Sequence, residues 1–291
     1  MNLNVYYLAI SGLQKAVRRN LVEQAVILGK IAWNLDKFRL YQRVHTIAFE
    51  ECGTDITILG WLYEERFGAK EWDALESLIR RMALSEHKCN ETVALKFILD
   101  SQEELVDAAS DARLIELQEL WPTHGFLAYT SLGFPAEEEW LLELCERKSS
   151  ADREKLLCGV PYLFWEEAGS KQVSDCAKGS LWRGLIPLSA FDFHTSIGKF
   201  AIKSFYYDSS EFQSLCSIGD AGKFIFKNEG MLISTRKAFR LPLRDYYPKS
   251  ARHISSYSNP EFFEKLNKKR CLVFKRNFSA EYEEFSKHAP C

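Results

Sequence analysis

The residues with the clearest chemical potential stand together in Asp192-Phe193-His194-Thr195-Ser196-Ile197-Gly198-Lys199, which runs into the helical text FAIKSFYY. Asp192 or Thr195 can cap that helix, leaving free backbone donors of the first turn beside His194 and Lys199. A helix N-terminus with an added His and Lys suits a phosphate or a carboxylate, which makes His194, Thr195 and Lys199 candidate anion-binding residues. The same spacing serves equally as a plain cap with His194 buried and hydrogen-bonded. A third reading is enzymatic, with Asp192, His194 and Lys199 as the set to mutate first. A nucleotide-binding P-loop is excluded. That loop needs a Gly five positions ahead of a Gly-Lys-Ser/Thr, whereas Lys199 is followed by Phe200 and position 193 is Phe. Gly222-Lys223 fails likewise, with Ser217 ahead and Phe224 behind.

A second chemistry is suggested by cations. Residues 171–291 carry 20 Lys and Arg against 12 Asp and Glu, whereas residues 1–170 carry 18 against 28. Such asymmetry implies that the C-terminal part meets an anionic partner, or that the two parts meet each other. Arg236, Lys237, Arg240 and Arg244 stand close to Tyr246 and Tyr247. Lys265, Lys268, Lys269, Arg270, Lys275 and Arg276 are interleaved with Phe274 and Phe278. Basic residues among aromatics suit a phosphate backbone with stacked bases, although a charge run also serves simply as a solvated face. The candidate nucleic-acid contacts are Arg236, Lys237, Arg240, Lys268, Lys269 and Arg270, joined by Lys15, Arg18 and Arg19 near the N-terminus.

Other chemistries find little footing. The eight cysteines stand singly with no C-x-x-C pair, so reduced and mostly buried thiols are expected, with no metal and no cofactor. Glu137, Glu138 and Glu139 fit the first turn of a helix better than a metal site. G-x-S-x-G and H-E-x-x-H are missing, and the six histidines are isolated, which leans against an enzyme without removing the reading centred on His194. No run of about 18 apolar residues is present. A cytoplasmic location without membrane contact is expected.

The elements that would position these residues are helical. Ser11 to Gly53 carries three amphipathic patterns: Leu13, Ala16 and Val17, then Leu21, Ala25 and Leu28, then Tyr41, Val44 and Ala48. Asn20 with Glu23 has the form of a capping box, Asp36 can cap the third helix, and Gly53 can stop it. Lys15, Arg18, Arg19, Lys30, Lys37, Arg39 and Arg43 fall on the opposite, solvated faces. Helix signals continue over 55–68, 70–84, 91–100 and 101–120, and Pro260 suits a first helical position after Asn259. Residues 224–233 read either as a small hairpin or as buried helix, with helix slightly preferred. The prediction is an all-α chain, a multi-helix bundle or helical array, with at most one small β-hairpin near 224–233. It divides into a helical domain at 1–147, a connecting zone at 148–190 and a basic helical region at 191–291.

The order of Ile10, Ser11, Lys15, Arg18, Ala25, Arg39, Arg43, Ala48, Glu50, Glu51 and Gly53 resembles the C-terminal helical region of the RarA/MgsA AAA+ ATPases. That family includes the Werner-helicase-interacting protein and acts at stalled replication forks. The resemblance spans roughly 45 residues. Glu51 stands where the family usually has Asp, Cys52 fills an apolar position, and Arg19 and Asn20 replace a favoured Gly and Asp. The resemblance implies a collar-like part of the family without its motor. The corresponding function is a non-catalytic accessory of DNA replication or repair that binds single-stranded or forked DNA and forms a homo-oligomer. The alternative is an adaptor or inhibitor that binds another protein through acidic helices.

Overall fold

The computed structural model describes residues 2–52, 58, 71–85, 171–173, 180–229, 232–234, 254–255 and 257–290. Within them the chain is mostly helical, as expected. The helices are α1 (Leu3–Arg18), α2 (Val22–Leu35), α3 (Lys37–Cys52), α4 (Trp72–Leu84), α5 (Ser196–Asp208), α6 (Ser210–Leu215), α7 (Ala221–Glu229), α8 (Pro260–Asn277) and α9 (Ser279–Ser286). Two short antiparallel ladders accompany them. Strand β1 (Lys171–Val173) pairs with β4 (Leu232–Ser234), and β2 (Leu181–Trp182) pairs with β3 (Ile186–Pro187). The segment near 224–233 thus combines both readings. Phe224–Phe226 lies inside α7, and Leu232–Ser234 is a strand whose partner is 171–173 rather than its own neighbour.

Helix α1 is the centre of the first core. Val5, Leu8, Ala9, Leu13, Ala16 and Val17 are buried on it, and Ser11, Lys15 and Arg18 are buried too, so it is enclosed on nearly every side. Small residues let its neighbours approach. A Cβ on Gly12 would come within 3.0 Å of Leu28 on α2, and one on Gly29 within 2.7 Å of Ile79 on α4. Each large aliphatic side chain fully removed from water here contributes about 1.5–3 kcal/mol. The core continues past α4 without a break, taking in Trp182, Leu185, Ile186, Phe191, Ile197, Phe274 and Phe285. The two charge-biased parts of the chain therefore share one core. Most of the expected divide at 148–190 lies outside the described residues.

The capping chemistry is borne out in three places and corrected in one. Asp36 Oδ1 accepts from Arg39 N at 3.0 Å, Thr195 Oγ1 from Gly198 N at 3.0 Å, and Asn259 Oδ1 from Glu261 N at 3.0 Å. Asn20 does not cap α2, whose N-cap Leu21 has no side-chain bond. Asn20 takes φ 59°, and the bonds Asn20 N to Val17 O and Leu21 N to Ala16 O close a Schellman motif at the end of α1. Asn tolerates the left-handed region better than most residues, so the same residue type serves either end of a helix. Glu23, the supposed partner, instead accepts from Arg80 Nη1 at 2.9 Å.

A second core is built from aromatics: Phe205 on α5, Phe212 on α6, Phe224 on α7, and Phe262 and Phe263 on α8. The Phe212 and Phe262 rings meet edge to face, 5.3 Å apart at 88°. Helix α8 belongs to both cores, with Phe262 and Leu266 in the second and Phe274 in the first. The helices expected at 55–68, 91–100 and 101–120, with the Glu137–Glu139 cluster, lie outside the described residues. Among the described residues no helix is long and apolar enough to cross a membrane.

Candidate nucleic-acid interface

The motif around His194 folds into a cap tied to α1. Lys15 Nζ donates to Asp192 Oδ2 at 2.5 Å and to Ser11 Oγ at 3.1 Å, and Ser11 Oγ donates to Ala190 O at 3.0 Å. Asp192 Oδ1 accepts from His194 N at 2.9 Å, and Thr195 Oγ1 donates to Asp192 O at 3.1 Å. Burial would raise the Asp192 carboxyl, but the Lys15 ammonium and the contacts with His194 hold it well below the usual carboxylate range. Gly198 is required because a Cβ there would fall 2.1 Å from Asp192 O. Of the three anion-site candidates, Thr195 is buried and used as a cap, whereas Lys199 and His194 are exposed, His194 with 76% of its side chain in solvent. His194 Nδ1 lies 3.4 Å from Asp192 Oδ2. The cation paired with Asp192 is Lys15, not Lys199. Its charge is thereby taken up inside the fold.

Two more ion pairs brace the interior. Arg18 reaches Glu51 in a two-pronged bond, Nε to Oε2 at 2.8 Å and Nη2 to Oε1 at 2.5 Å, and Gln14 Nε2 adds a third at 2.8 Å. Burial pushes the Glu51 carboxyl up, and the Arg18 charge and bonds bring it below its ordinary value. Arg270, fully buried, grips Glu229 with both terminal nitrogens, Nη2 to Oε2 at 2.7 Å, and also reaches Asn267. Arg19 donates to Lys15 O at 3.2 Å, and burial together with nearby Arg18 pulls its guanidinium down to about 10.

These contacts correct the expected solvated face. Lys15 and Arg18 are interior, since α1 is enclosed and each needs a carboxylate to offset the loss of water. Arg270 on α8 is fully buried as well and is matched by Glu229. The other two α8 candidates sit at the surface in pairs, Lys268 with Glu264 at 2.6 Å and Lys269 with Asp208 at 2.5 Å. Arg236, Lys237 and Arg240 lie outside the described residues.

A further set of exposed cations lies on α5 and α8, only partly marked by the sequence. On α5, Lys199 and Lys203 are exposed, and on α8 so are Lys275 and Arg276. Among the described residues none of the four has a carboxylate at ion-pair distance. Phe200 and Tyr207 on α5 and Leu272 on α8 are exposed among them. The Phe200 ring meets Phe278 at 6.1 Å and Lys269 reaches Asp208, which fastens the two helices side by side. An open groove of about 700 Å³ is lined by Phe263, Asn267, Cys271 and Leu272, with Glu264, Lys268 and Lys275 also lining it. The signal for Lys203 was available: Phe200, Lys203 and Tyr207 fall at i, i+3 and i+7, one face of a helix. Among the described residues no three His, Cys, Asp or Glu side chains gather where a metal ion would sit. Comparison with protein-family models, curated proteins and solved structures returned no match.

Proposed function

We propose that this chain is a non-catalytic nucleic-acid-binding module that serves DNA replication or repair. The observation that carries the reading is the α5–α8 surface, where Lys199, Lys203, Lys275 and Arg276 stand exposed without a described carboxylate partner. Cations already matched by Asp or Glu have little left to offer a phosphate, whereas unmatched ones release counterions on binding. The assignment to replication or repair comes from the resemblance to the RarA/MgsA C-terminal region. On this reading Ser11, Lys15, Arg18 and Glu51 belong to a shared packing framework, and nucleic acid is met elsewhere, on α5 and α8. A homo-oligomer built on α1–α3 is part of the same proposal.

Fluorescence anisotropy with labelled DNA across a salt series tests it. If all four cations engage phosphates, the logarithmic salt slope should approach about −3 on a single strand. Lys275→Ala with Arg276→Ala should weaken binding about tenfold at low salt and flatten the slope. Lack of binding at low salt removes this reading in favour of a protein partner.

A further inference from the structure

We infer that the α5–α8 surface takes nucleic acid as a single strand, with unpaired bases stacking on Tyr207 and Phe200 while the flanking cations hold the backbone. This rests on the nucleic-acid reading above and specifies which form of nucleic acid the surface selects. Cations alone would serve a duplex equally well, because phosphates line both forms. The aromatics discriminate. Tyr207 is 68% exposed and Phe200 48%, although each is large enough to favour burial. Tyr207 and Tyr206 lie at 84° with centroids 5.7 Å apart, and Phe200 and Phe278 at 80° and 6.1 Å, so neither exposed ring is stacked parallel on these neighbours. A base stacks on a ring face, and only an unpaired base at the outside of a strand can offer its own.

Seven residues of helix separate the rings by about 10.5 Å along the axis. Lys203 projects between them on the same face, and Lys199 lies one turn before it. On the adjacent helix Lys275 and Arg276 are exposed as well. A duplex laid on this surface would meet two rings that it has no way to stack against, at the cost of desolvating phosphates over apolar surface.

The test uses the full chain, with a labelled 20-nucleotide oligo-dT and a 20-base-pair duplex at about 50 mM salt, where phosphate contacts are strong. Single strand is expected to bind more tightly than duplex. Tyr207→Ala should weaken single-strand binding at least about fivefold, Tyr207→Phe should retain it, and neither should alter duplex binding. Phe200→Ala should act in the same direction, with circular dichroism confirming that the helices persist. Equal or tighter duplex binding, or single-strand affinity unchanged in both alanine variants, overturns the inference while leaving nucleic-acid binding intact. No binding to either DNA overturns both.

Discussion

Helices α1 and α8 both carry strings of basic residues, yet they use them in opposite ways. On α1, Lys15 and Arg18 point inward and are matched by Asp192 and Glu51. On α8 only Arg270 is buried, and Lys268, Lys275 and Arg276 remain in water. The difference follows from how many sides of each helix are covered. Helix α1 is packed by α2, α3 and α4, by the segment 186–190 and by α9, so Lys15 and Arg18 end in the interior rather than in solvent. Helix α8 keeps one face open. A basic residue is thus not evidence of a binding surface until the coverage of its helix is known.

The comparison can be broken most directly at the buried end. Glu229→Ala strands Arg270 without its carboxylate and should cost about 3–5 kcal/mol in urea denaturation. Replacing both partners, as in Arg270→Met with Glu229→Leu, should be nearly neutral by the same assay, because the interior loses two charges together. A large loss in the double variant would show that the pair contributes more than mutual neutralisation.

Acid titration sharpens the contrast next. Asp192 and Glu51 have folded-state values below the unfolded carboxylate range of about 4. Their stabilising contribution is therefore present above about pH 4 and is lost as pH falls through the lower folded values. The midpoint of urea unfolding should drop steeply between pH 5 and acid, over a range anchored on that reference. It should drop less in Lys15→Met with Asp192→Leu. At the exposed end, Lys275→Ala with Arg276→Ala should leave stability within about 0.5 kcal/mol of the parent while weakening DNA binding. The smallest effect is expected for Lys268→Ala, whose exposed pair with Glu264 should leave the thermal midpoint unchanged.

The helical character was legible because its signals are local. The apolar spacing of α1–α3, the caps at Asp36, Thr195 and Asn259, and the start at Pro260 all lie within one or two turns. The cap misread at Asn20 is local as well, but the deciding property is its φ, which residue type alone does not set. The ion pairs were not legible for a different reason. Asp192 is 177 positions from Lys15, Glu51 is 33 from Arg18 and Glu229 is 41 from Arg270. Periodicity marks a face as polar without saying whether another element covers it. The α5–α8 surface was half visible: Lys199, Lys275, Arg276 and Phe278 stood out as residues, but that α5 lies against α8 is a tertiary fact.

Helix α8 is a beam let into two walls, with Phe262 and Leu266 fixed in one core and Phe274 in the other. A load applied to its outer face, such as a bound strand, is borne by both cores at once. Occupancy of that face should accordingly register as a single cooperative rise in melting temperature that grows with ligand concentration, rather than as the stiffening of one end of the molecule.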